Sequence, residues 1–223
     1  MKLLLTSNGL TDSIGTQLLA LLTKPPEKNK VGFITTAAFG EEENSQWNRE
    51  TWLQGHRSEL INLGLKNIGD IDLRKMSELD LRSKVLEKDI VYVDGGNTFY
   101  LLYWARESKF NTIIQEFIKQ DGIYVGVSAG SILACPTIET AAWEPADKNN
   151  VRIIDLSALS LVPFLIHPHL EESQKEYIAH ETEKTKLPVV ALTDSQAVLV
   201  TDRSAQIVGE GNNYMLNGFN KYL

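Results

Sequence analysis

The chain is poor in cysteine. Cys135 is the only one among its 223 residues. No intramolecular disulfide can staple the fold, so stability has to come from an apolar core. Cys135 itself sits in an apolar stretch and reads as a packing residue rather than a nucleophile. Long apolar runs are also missing. Leu3-Leu4-Leu5 gives way at once to polar residues, too short for a signal-peptide core, and no segment approaches the ~20 apolar residues of a membrane span. A soluble, cytoplasmic protein is expected. There is no basic excess. Lys and Arg number 22 against 29 Asp and Glu, a net charge of −7, which argues against a nucleic-acid or anionic-membrane partner. Linkers rich in Pro, Gly or Ser, low-complexity tracts and internal repeats are absent as well. With 43% hydrophobic residues, one domain spanning 1–223 is expected.

Against these absences stand five short apolar runs, at 3–6, 31–35, 90–93, 123–127 and 188–192, each closed by turn or polar residues. Runs this short and apolar throughout fit strands buried on both faces. Helical patterns lie between them, over 14–22, 46–63 and 98–119, the last long or broken, with a charged helix over 173–184. The alternation predicts an α/β fold with a mainly parallel sheet sandwiched by helices. Residues 196–201 and 205–209 flank Asp202-Arg203-Ser204 as a C-terminal β-hairpin. Ligands of parallel sheets sit beyond the carboxyl ends of the strands. Ser7, Asn8, Thr36, Gly95, Gly96, Ser128 and Asp194 should therefore converge on one crevice.

Within that set, Gly126-Val127-Ser128-Ala129-Gly130 reads as a serine in a sharp strand-to-helix turn. Such a turn tends toward positive φ, and flanking glycines leave room for it. The strain presents the hydroxyl above the sheet, with free helix N–H groups behind it. A serine nucleophile needs a base. His56 lies in the polar part of a helical pattern and reads as solvent-facing, and His180 as a surface residue. His167 and His169 flank Pro168, which stiffens the segment. In an extended course they share a face, one as base and the other as a neighbour shaping the site. Asp194, ending a strand, is the best candidate to orient the imidazole, whereas Glu171 and Glu172 are expected to face water. Oxyanion donors would be the N–H of Ala129 and one from Gly95-Gly96. Asn97 or Thr98 could cap the following helix, and Asn97 is also a candidate substrate contact. A metal held by His167, His169 and Glu171 or Glu172 is disfavoured, because no further His or Cys cluster completes it. No metal or cofactor is expected.

These blocks, in this order, resemble the peptidase E (aspartyl dipeptidase) family of serine peptidases, relatives of cyanophycinase with a class I glutamine amidotransferase-like fold. The resemblance rests on Leu3-Leu4-Leu5-Thr6-Ser7-Asn8, Asp94-Gly95-Gly96-Asn97-Thr98-Phe99, the serine turn with Ala134-Cys135-Pro136-Thr137-Ile138, Leu161-Val162-Pro163-Phe164, Pro168-His169 and Ala191-Leu192-Thr193-Asp194. It implies Ser128 as nucleophile, His169 as base, Asp194 as acid, and Gly96 and Ala129 as oxyanion donors. A small peptide is the implied substrate. The chain departs from the family in two ways. The acid is aspartate where well-known members carry glutamate. The stretch after His169 reads Glu171-Glu172-Ser173-Gln174-Lys175-Glu176, without the arginine expected for an aspartyl substrate. Lys175 is an imperfect substitute, and the two glutamates would repel an acidic substrate. Two other readings use the same residues, an α/β-hydrolase-type esterase and a non-catalytic ligand-binding protein. The Ser–His–Asp order differs from the Ser–Asp–His order of the α/β-hydrolases. Trp47, Trp52 and Trp143, read as exposed, allow a homodimer.

Overall fold

A computed structural model of the chain describes residues 1–42, 48–202 and 204–219. The strands are β1 (Lys2–Thr6), β2 (Lys30–Ile34), β3 (Asn67–Ile71), β4 (Ile90–Val93), β5 (Ile123–Val127), β6 (Leu165–His167), β7 (Val189–Ala191), β8 (Gln196–Thr201), β9 (Ser204–Gly209) and β10 (Tyr214–Leu216). The helices are α1 (Asp12–Leu21), α2 (Arg49–Asn62), α3 (Glu78–Leu86), α4 (Thr98–Glu107), α5 (Phe110–Lys119), α6 (Ala129–Leu133) and α7 (Lys175–Thr182). Seven strands form one sheet in the order β3-β2-β4-β5-β1-β8-β9. Its first five members are parallel, and β8 and β9 join antiparallel. This is the mainly parallel α/β architecture with an appended hairpin that the alternation predicts.

Alternation along each strand explains why both faces are covered. Leu3 and Leu5 of β1, Val91 and Val93 of β4 and Tyr124 of β5 pack in one apolar layer with residues of α3 to α6. Leu4, Ile90, Tyr92, Ile123 and Val125 point the other way, into a second layer with α1 and α2. Successive side chains of a strand face opposite sides, so a run apolar at every position needs helices on both. The pattern over 98–119 breaks at Lys109, whose left-handed φ of 62° ends one helix and starts the next. Phe110, Ile113, Ile114 and Phe117 then face the core at spacings of three and four.

Three features differ from the sequence expectation. The run over 188–192 is not a strand of the main sheet. Val189–Ala191 pairs with β6 and β10 in a separate three-stranded sheet. β3 has no apolar run, because it is an edge strand with only Ile71 buried. α3 turns just Leu81 and Val85 inward, too few to stand out as a period. Residues 46 and 47 lie outside the described residues, Trp47 among them. Of the other two tryptophans, Trp143 is buried and Trp52 half-buried, so neither is an exposed contact surface. No described helix is long and apolar enough to cross a membrane.

Candidate active site

The carboxyl ends of β1, β4 and β5 meet at the serine turn. Ser128 has φ 47° and ψ −107°, a conformation that costs energy for a residue with a Cβ. Close backbone packing enforces it. The Ser128 N–H donates to the Thr6 carbonyl at 3.0 Å. A Cβ on Gly126 would come within 2.6 Å of the Gly130 carbonyl oxygen, and one on Gly130 would overlap the Val93 carbonyl. The Ser131 hydroxyl ties the turn to β1 and β5 through Thr6 O at 2.7 Å and Gly126 O at 2.8 Å. The Tyr124 hydroxyl donates to Gly130 O at 2.7 Å.

His169 follows β6 through Pro168, and its course departs from the extended one expected. With φ 59° the chain turns there, yet His167 and His169 both line the crevice beside Ser128. The His169 N–H donates to the Ser7 hydroxyl at 2.7 Å. Its imidazole bridges two side chains, with Nε2 2.9 Å from Ser128 Oγ and Nδ1 2.7 Å from Asp194 Oδ1. Ser7 Oγ lies 3.3 Å from Asp194 Oδ1, and Asn8 Nδ2 donates to Oδ2 at 3.3 Å. The hydrogen bond to His169, with support from Ser7 and Asn8, holds the Asp194 carboxyl below the usual carboxylate range. Its side chain nevertheless remains 57% exposed. Ser7, Asn8, Ser128, His169 and Asp194 thus come together. Thr36 does not join them; its hydroxyl accepts the Leu73 N–H at 2.9 Å.

The Gly95–Gly96 turn lies against the serine. A Cβ on Gly95 would be 3.4 Å from Ser128 Cβ. Gly96 has φ 127°, and its backbone packs so closely on Ala37 that a Cβ would come within 2.5 Å of that carbonyl, a place only glycine fits. Neither the Gly96 nor the Ala129 N–H has a hydrogen-bond acceptor among the described residues. Asn97 is the cap of α4, accepting the Tyr100 N–H at 2.9 Å and donating to Lys148 O at 3.0 Å. Lys175 stands apart from the serine. Its ammonium pairs with Glu172 at 2.6 Å and lies over the Tyr214 ring.

A crevice of about 40 Å³ opens beside Ser128, with Thr98, Ile132, Thr140, Asp147, His167 and His169 in its wall. His167 is 3% exposed, rests against Trp143, and has no hydrogen-bond partner on either ring nitrogen among the described residues. Burial, with a smaller contribution from His169, pulls it down to about 4. It is neutral in the folded state at pH values where the unfolded chain is protonated. Stability is therefore complete above an ordinary histidine value of about 6.5 and is lost as the pH falls toward about 4, by about 3 kcal/mol in all. We expect His167→Leu to flatten the decline of Tm between about pH 7 and about pH 5. Parallel Tm curves for variant and wild type would contradict this.

Two polar features escaped the sequence reading. Asp147, from the segment after α6, accepts the Thr98 N–H at 2.7 Å and walls the crevice. Burial raises it above the usual carboxylate range. Burial and then the charge of Asp147 raise nearby Glu41 in the same way. His56 is not solvent-facing; it is 5% exposed and paired with Asp94. The spacing of Leu53, His56 and Leu60 on one buried face of α2 was the available signal.

A sequence model of peptidase family S51 matches residues 3–208. The chain belongs to peptidase family S51. That places it among serine-type peptidases, which are hydrolases, and away from the esterase reading. An uncharacterized peptidase of Pasteurella multocida is 30% identical over 148 residues, covering 64% of this chain and 70% of that protein. Peptidase E of Citrobacter koseri is 31% identical over 154 residues, covering 63% and 64%. The matched stretch thus spans 70% and 64% of the length of these two relatives. Among solved structures, a Listeria monocytogenes protein assigned to peptidase E superposes with a TM-score of 0.78 at 23% identity, covering 94% of this chain and 98% of that one. A peptidase from an acI-B1 actinobacterium reaches 0.64 at 16% identity, covering 98% and 91%. At these identities the superpositions speak for the fold.

Proposed function

We propose that the chain hydrolyses short peptides through an acyl-enzyme on Ser128. The observation that carries this reading is the unbroken line from Asp194 through His169 to Ser128, with separations of 2.7 and 2.9 Å. Asp194 accepts a hydrogen bond from the His169 Nδ1–H and leaves Nε2 free to take the serine proton. Ser128 Oγ attacks the scissile carbonyl. The oxygen that becomes negative is met by the Gly96 and Ala129 N–H groups, which fixed backbone holds without other acceptors among the described residues. His169 then protonates the leaving amine, and water releases the acid product. Asp147, a carboxylate in the same wall, favours the imidazolium that forms in between.

The charge around the crevice bears on specificity. Asp147 is the acidic residue in the crevice wall, Lys175 is tied to Glu172, and the stretch from Glu171 to Glu176 after His169 contains no arginine. A substrate with an acidic first residue would find no lysine or arginine to pair with in the described wall of the crevice beside Ser128. The crevice beside Ser128 is narrow, about 40 Å³, which favours a small group. We therefore expect dipeptides with small neutral first residues to be cleaved faster than aspartyl dipeptides. A screen of dipeptides varied at the first residue, read by released amino acid, tests this. Fastest turnover of Asp-X would refute the neutral preference, and turnover of none would count against the peptidase reading.

Asp194→Asn removes the charge that orients His169. Because the carboxylate is more than half exposed, water takes over part of its role. The expected loss in kcat is on the order of 10²- to 10³-fold, less than for the serine or the histidine. An unchanged kcat would remove Asp194 from the reaction.

A further inference from the structure

Beneath the Gly95–Gly96 turn lies an acid–base pair that the reaction above leaves unused. Asp94, at the end of β4, is fully buried. Its Oδ1 lies 2.6 Å from His56 Nδ1 of α2 and accepts the Gly95 N–H at 2.7 Å. Its own N–H donates to Ile34 O at 3.1 Å. His56 is packed edge-on against Trp52, with ring centroids 4.6 Å apart, and tilted toward Tyr92. The other groups facing the pair are Glu59, from the next turn of α2, which accepts the Leu10 N–H at 2.8 Å, and the buried hydroxyl of Tyr92. Burial alone would pull the His56 imidazole down, but Asp94 and Glu59 outweigh it and raise it above its usual value.

Two neighbouring peptides of the turn are thereby used in opposite ways. The Gly95 N–H is committed downward to Asp94. The Gly96 N–H, one residue on, has no acceptor among the described residues. A buried carboxylate this near an oxyanion would oppose it through low-dielectric protein unless a cation balanced it. Among the described residues, the ion-pair partner of Asp94 is His56.

We propose that Asp94 and His56 are positioning residues for the oxyanion-binding turn. Asp94 pins the Gly95 peptide so that the Gly96 N–H stays available, and His56 cancels the charge that would otherwise repel the tetrahedral intermediate. This rests on the acyl-enzyme reading above, and the test separates the two. A fluorophosphonate reacts as Ser128 Oγ bonds to phosphorus and fluoride leaves, with the phosphoryl oxygen in the place of the oxyanion. Its labelling rate, normalised to folded protein by circular dichroism, is to be measured for wild type, His56→Gln, Asp94→Asn and the double variant. His56→Gln leaves the buried Asp94 side chain without its ion-pair partner. It should slow labelling on the order of 10- to 100-fold at saturating probe, with the half-saturating concentration unchanged. Adding Asp94→Asn removes that charge while keeping an acceptor for the Gly95 N–H, and should restore most of the rate. Wild-type labelling rates in His56→Gln, or a double variant no faster than His56→Gln, would overturn the proposal alone. An unlabelled wild type would overturn the acyl-enzyme reading and this proposal with it.

Discussion

Ser128→Ala should leave a folded protein whose peptide hydrolysis is reduced on the order of 10⁴- to 10⁶-fold in kcat. The fold should survive because, among the described residues, the hydroxyl has a single hydrogen-bond partner, His169 Nε2, and alanine fits wherever serine does. The strained turn is held by neighbours, not by Oγ. The Thr6 carbonyl takes the Ser128 N–H, the Ser131 hydroxyl ties β1 to β5, and Gly126 and Gly130 make room. The loss in rate should be large because the proposed path needs a covalent intermediate, and without Oγ only binding and the oxyanion donors remain. Steady-state hydrolysis of the best dipeptide from the screen, with Tm measured in parallel, checks both halves. Retention of even a tenth of the activity in Ser128→Ala would mean that another group attacks the peptide.

The two histidines beside Pro168 should separate sharply. His169→Ala removes the group bridging Ser128 and Asp194, and the expected loss in kcat is on the order of 10⁴-fold. His167 hydrogen-bonds to neither of them. It is buried against Trp143 and walls the crevice, so His167→Ala should lower kcat/KM by only about 10-fold. Emptying its site should also cost about 2 kcal/mol of stability. His169→Ala should have the opposite profile, with activity gone and Tm close to wild type, because that side chain is partly exposed. If His167→Ala proved the more damaging to kcat, the assignment of His169 as base would be wrong.

Much of this was legible in the sequence, for identifiable reasons. Strands buried on both faces read as unbroken apolar runs, so β1, β2, β4 and β5 stood out together with the ends that carry Ser7, Gly96 and Ser128. The serine turn was readable because its small residues answer a steric demand at known offsets. Elimination among four histidines left the pair His167 and His169 open, the resemblance to peptidase E chose His169 as base, and Asp194 stood out by its position at a strand end. Less was legible where the determinant is tertiary. β3 is an edge strand whose stability comes from pairing with β2, so its own residues carry little apolar signal. The run at 188–192 has the composition of a central strand but pairs with β6 and β10 instead. Lys175 stands at a suggestive position in the chain, yet local geometry gives it to Glu172. His56 was misread because a polar residue on a helix is taken as exposed by default. Only the arrival of Asp94 from β4 explains its burial. Asp147 comes from an irregular segment, for which no periodicity exists to read.

The most direct test of the central claim is to treat the folded protein with a fluorophosphonate and locate the adduct by mass spectrometry of its peptides. A single adduct on Ser128 is expected, lost in Ser128→Ala and strongly slowed in His169→Ala. It should be retained in Cys135→Ala, because that thiol is buried and pushed up to about 12. No adduct on the folded protein, or one on any other residue, would contradict the account.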